Sequence, residues 1–74
     1  MEEQEIKDRL LKENKEFREA FKQHQKLENM LSKFQAKSYL TEAEKMKEKQ
    51  LKKEKLVLKD KMYYLMTEFR KSIR

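Results

Sequence analysis

Apolar residues in the first half of the chain fall at Ile6, Leu10, Phe17, Phe21, Leu27, Leu31 and Phe34, with Ala20 and His24 on the same side. From 6 to 34 the stripe takes eight steps of three or four residues, an average of 3.5, with one polar gap at 13–14. That is the period of a helix with a single face turned to a partner. Glu2, Glu3 and Glu5 stand where a helix dipole favours anions. Glu3–Lys7, Glu5–Arg9 and Asp8–Lys12 have the spacing of i,i+4 ion pairs, each worth about 0.2–0.5 kcal/mol.

Near residue 38 the period stops. Thr41-Glu42-Ala43-Glu44 has the spacing of a capping box and marks a new helix beginning at 42. That helix carries Leu51, Leu58 and Leu65 at strict sevens, interleaved with Met62 and Phe69, and Ala43, Met46 and Ile73 extend the stripe at its ends. Arg70, Lys71 and Arg74 suit its C-terminal dipole. The pattern predicts an all-α, coiled-coil-like antiparallel two-helix hairpin forming one domain over 1–74. Helix 1 covers about 3–37, the loop about 38–41, and helix 2 about 42–72. A pivot at 38–39 sets Phe34 near Ala43, Leu31 near Met46, Leu27 near Leu51, Phe21 near Leu58 and Phe17 near Met62, with Leu10 beside Leu65 or Phe69.

One stretch exceeds what a single seam needs. In "KLVLKDKMYYLM" (55–66) eight of twelve residues are apolar or aromatic. With Leu58, Met62 and Leu65 turned to helix 1, Leu56 and Tyr63 project about 160° away from Leu58 and Leu65, at about 100° per residue. Val57 and Tyr64 fall on a third line between them, and Met66 is also surplus to the seam. Leu56, Val57, Tyr63 and Tyr64 are therefore the candidate interaction face, for a twin hairpin giving a four-helix arrangement or for an unidentified protein. Single surface positions for these side chains are the simpler alternative.

Composition narrows the chemistry. Charged residues make up 46% of the 74 and apolar ones 36%, with no Gly, Pro or Cys. Disulfides and thiolate metal sites are therefore excluded, and no stretch approaches the roughly 20 apolar residues of a membrane span. A domain this small with one seam is marginal without a staple or self-association. His24 is the only histidine. It lacks a second ligand or base nearby in sequence, and reads as a seam residue near Glu54 rather than a metal ligand. The carboxylates lie at helix-surface spacings with no pocket to raise a pKa. Catalysis, cofactors, a small-molecule substrate and a membrane partner are not expected.

Net charge is +6, with +1 in residues 1–37 and +5 in residues 38–74. Lys45, Lys49, Lys52 and Lys59 line one outward face, the candidate nucleic-acid face. That segment has no Arg and sits among acids, so a solvated surface is the competing reading.

"LKENKEFREAFKQHQKLENML" (11–31) followed by "MKEKQLKKEKLVLKDKMYYLM" (46–66) resembles the YdcH-like family of small bacterial proteins. The resemblance rests on Phe17 or Phe21, His24, Leu27 and Glu28, and on Leu56, Leu58, Lys59 and Asp60. It implies a helical hairpin in a bacterial cytoplasm and no activity. Many relatives have Pro after the residue matching Asn14, where this chain has Lys15. Helix 1 then runs through, or kinks or frays in the gap before Asn14.

Overall fold

The computed structural model describes residues 2–73 and is all helical, with no strand among them. Three helices follow one another: α1 (Glu3–Glu13), α2 (Lys15–Gln35) and α3 (Glu42–Ser72). Arg74 lies outside the described residues. α2 and α3 form the hairpin within overall dimensions of 50 × 19 × 16 Å.

The first arm is two helices, which corrects the single helix 1 over about 3–37 and the plain two-helix hairpin. Asn14 adopts φ −118° and ψ 111°, an extended conformation that ends α1 and caps α2. Its side-chain oxygen accepts a hydrogen bond from the Phe17 N–H at 2.9 Å. Asn is among the best N-cap residues because it satisfies one of the orphan donors of the new first turn. Arg18 Nη1 donates to the Leu11 and Lys12 carbonyls at 3.3 and 3.4 Å, closing the C-terminus of α1.

The break turns the chain back on itself. A straight helix would set Glu3 about 32 Å from His24, yet both line one cleft of about 150 Å³. α1 thus lies across one flank of the hairpin at its open end. Ile6 and Leu10 pack with Phe17 and Met66 into the principal apolar cluster, flanked by Leu11, Met62, Leu65 and Phe69. Ile6 and Phe17 are fully buried, and Arg9 stacks over the Phe69 ring at 5.4 Å. Met66 is 4% exposed, so α1 covers a side chain that a two-helix seam would leave in water. On α1 itself, Glu3–Lys7 pairs at 3.9 Å, whereas Arg9 pairs with Glu13 at 2.9 Å rather than with Glu5. Asp8 accepts from Gln4 instead of meeting Lys12.

The α2–α3 seam follows the expected sevens from Leu51 to Phe69 and differs near the loop. The α3 positions turned inward are Glu44, Glu48, Leu51, Lys55, Leu58, Met62, Leu65 and Phe69, alternating steps of four and three. Extending the line of Leu51, Leu58 and Leu65 back by seven reaches Glu44, so Ala43 and Met46 fall to the side and are exposed. Ile73 is also exposed, beyond Phe69. Leu31 and Leu51 are buried, and Lys55 bridges the seam to Glu28 at 3.1 Å.

The connection spans Ala36 to Thr41 without any positive φ, so it needs no glycine. Thr41 and Glu44 form the full capping box, each backbone N–H donating to the other's side chain at 3.1 Å. Lys37 also pairs with Glu44. The Lys37 ammonium, then the Thr41 N–H, hold the Glu44 carboxyl below its ordinary 4.5. A carboxylate whose folded pKa is depressed contributes stability that is present above the ordinary value and lost as pH falls through the depressed one.

Two outcomes follow. Phe17→Ala, at the centre of the cluster, should cost about 3–5 kcal/mol in urea unfolding. Ile6→Ala should cost less in that assay, because α1 can release alone, and should speed amide exchange in 6–13 selectively. Equal losses for both variants would show that α1 is not separable. Acid titration followed by circular dichroism should also destabilise the wild type more than Glu44→Gln as pH falls below about 4.5. Parallel acid curves would remove Glu44 from the account.

Candidate functional site

The four candidate interaction residues all project into solvent from α3. Leu56 is 57% exposed, Val57 66%, Tyr63 57% and Tyr64 63%. The helix turns about 100° per residue, so they form two lines rather than one patch. Leu56 and Tyr63 share the line of sevens that contains Lys49. The neighbouring line, four residues earlier at each step, holds Lys45, Lys52 and Lys59. Half of the apolar candidates and all of the basic candidates therefore occupy one face of α3.

On that face the charges are partly spent. Lys45 pairs with Glu42 at 3.4 Å and Lys52 with Glu48 at 3.9 Å, both within α3. These are exposed pairs with small energies, but they lower the local positive potential. Lys59 lies at the edge of the cleft under α1, with Tyr63, Met62 and Met66.

His24 lines the same cleft, facing Glu3 and Lys7 of α1. This corrects the expected neighbour, because Glu54 lies in a different depression on the other flank. The cleft mixes an imidazole, a carboxylate and two ammonium groups over two Met side chains. Among the described residues no group of three or more His, Asp or Glu is placed to hold a metal ion. The side chains at this cleft can carry charge–charge contacts between α1 and the hairpin.

The opposite flank carries an open groove of about 560 Å³ between α2 and α3. Its floor is Leu27, Met30, Leu51 and Leu58, and its rim includes Lys26, Lys47, Glu54 and Val57. Val57 and Lys59 point about 160° apart, which separates the groove from the cleft under α1. Leu27 and Leu51, which the pivot sets near each other, both line this groove. Tyr64 stands seven residues beyond Val57, on the same line. Glu16 joins Lys61 at 3.5 Å across the hairpin towards its open end. Asp60 is exposed.

Two features escaped the sequence pattern. Met66 counted as surplus apolar surface, yet it belongs to the core under α1. The bend that buries it was signalled by the polar gap at 13–14 and by Asn14 standing three residues before Phe17. The second feature is the polar lining of the seam near the loop, which strict continuation of the sevens to Glu44 would have indicated.

The family described as "Protein of unknown function (DUF465)" matches residues 17–66. The matched stretch begins at Phe17 and ends at Met66, so it takes in most of α2, the loop and most of α3 and omits α1. Neither a curated protein nor a solved structure matches the chain. Among the described residues no helix is long and apolar enough to cross a membrane.

Proposed function

We propose that this chain, which belongs to the DUF465 family of proteins of unknown function, is a non-catalytic protein–protein interaction module. The observation that carries the reading is the exposure of Leu56, Val57, Tyr63 and Tyr64 on a helix whose other outward positions are mostly charged. Tyr offers a large contact area with a hydroxyl that tolerates water, which suits a face that is free part of the time. The groove behind Val57 gives the same flank a concave apolar floor. A second hairpin pairing through the C-terminal half of α3 is one form of this interaction, and an unrelated protein in the cytoplasm is the other. The YdcH-like order of Phe17, His24, Leu27 and Glu28 supports a bacterial setting and adds no activity.

A second reading rests on Lys45, Lys49, Lys52 and Lys59 sharing a face with Tyr63, because a basic line beside an aromatic platform suits single-stranded nucleic acid. The pairing of Lys45 and Lys52 with acids of their own helix makes it the weaker of the two.

Sedimentation equilibrium at micromolar concentration checks the self-association form. The wild type should exceed its 9.2 kDa monomer mass, and Tyr63→Lys with Tyr64→Lys should restore it. A wild type that stays monomeric leaves only a foreign partner for the face. Affinity capture with wild type beside the double variant addresses that partner, and equal recoveries would remove the face from the account. Filter binding of generic DNA and RNA across a salt series separates the second reading. It requires retention at low salt that falls steeply as salt rises, and no retention at low salt ends it.

A further inference from the structure

One extended residue separates two helices whose apolar stripe is otherwise continuous in period. The bent form gives up backbone bonds. In an unbroken helix the N–H groups of Lys15, Glu16 and Phe17 would donate to the carbonyls of Leu11, Lys12 and Glu13. Here Phe17 donates to the Asn14 side chain, and Arg18 occupies the Leu11 and Lys12 carbonyls. The return for bending is the burial of Ile6 and Leu10 against Phe17 and Met66. Straightening one isolated chain would restore the helical bonds and expose that surface. Straightening two chains together need not expose it.

We propose that Asn14 is a hinge through which two copies exchange α1. In the bent chain α1 runs from the cleft beside His24 towards the open end of the hairpin. A straightened α1 continues the line of α2 and projects beyond that open end. A second hairpin, opposed end to end, then presents its own Phe17 and Met66 to a helix running in the sense they already accept. The pair closes under two-fold symmetry, with each copy's Ile6 and Leu10 seated on the other's core. Buried surface is kept, and the backbone bonds across residue 14 are regained. The family match begins at Phe17, so the exchanged element, α1, lies outside the matched stretch. The proposal is independent of the exposed Leu56, Val57, Tyr63 and Tyr64.

Two substitutions at the hinge act in opposite directions. Asn14→Ala removes the cap that favours the bend, and Ala is the best helix former. The association constant should rise about fivefold per hinge, or about 25-fold for a pair with two hinges. Lys15→Pro fits the first turn of α2 in the bent form, where the N–H has no helical acceptor and Asn14 is already extended. In a straight helix it would clash with the Leu11 carbonyl, so exchange should weaken by about 100-fold or more. Sedimentation velocity on wild type, Asn14→Ala, Lys15→Pro and the double variant provides the test, with circular dichroism confirming helix in each. The expected result is a dimer strengthened by Asn14→Ala and abolished when Lys15→Pro is added. Asn14→Ala that stays monomeric to about 1 mM overturns the proposal. So does a dimer of Asn14→Ala that survives the addition of Lys15→Pro. A dimer indifferent to both hinge substitutions but lost in Tyr63→Lys with Tyr64→Lys also overturns the exchange, and leaves the interaction-face reading standing.

Discussion

The hydrogen bond from the Phe17 N–H to the Asn14 side chain organises this molecule. It starts α2 one residue after α1 ends and fixes the point where the chain reverses. Without the reversal, Ile6 and Leu10 would continue the line of α2, away from Phe17 and Met66. With it, they complete a three-helix cluster around Phe17 and Met66. A net hydrogen bond is worth only about 1 kcal/mol. Its leverage comes from what it positions, because each apolar side chain fully buried contributes about 1.5–3 kcal/mol. A weak local preference thus decides where the larger, non-local term is collected.

The two ends of the hairpin are built from different materials. At the open end three helices enclose Phe17, Ile6, Leu10 and Met66. Towards the loop two helices meet across Glu44, Glu48 and Lys55 on one side and Leu31, Phe34 and Glu28 on the other, with Leu51 the last buried residue of α3 on the way. Half-buried charges at seam positions are tolerated because partners are within reach: Lys55 meets Glu28 and Glu44 meets Lys37. Both pairs have an exposed partner and contribute little net stability.

Much of the architecture was legible in the chain. The capping box at Thr41 and Glu44 located the start of α3, and the sevens of Leu51, Leu58 and Leu65 located its inner face. These are local or strictly periodic signals, and little competes with them. The break at Asn14 was marked only as a gap, because Lys15 is compatible with both a helix interior and a first helical turn. Its outcome depends on whether α1 finds apolar surface to cover, which is a tertiary question. Met66 was misjudged for the same reason, since a third helix had to arrive before it could be buried. The exposure of Leu56, Val57, Tyr63 and Tyr64 followed from the helical wheel, because all four stand off the line of Leu51, Leu58 and Leu65 that faces α2.

The turn from α2 to α3 is closed by side chains rather than by a backbone special, because no residue from Ala36 to Thr41 takes a positive φ. Its ion pair between Lys37 and Glu44 is therefore open to the solvent's ionic strength, with a screening length of about 3 Å at 1 M salt. Apolar burial at the other end responds in the opposite sense to sulfate or phosphate salts, which strengthen it. The same rod is thus loosened at one end and tightened at the other by a single change of medium.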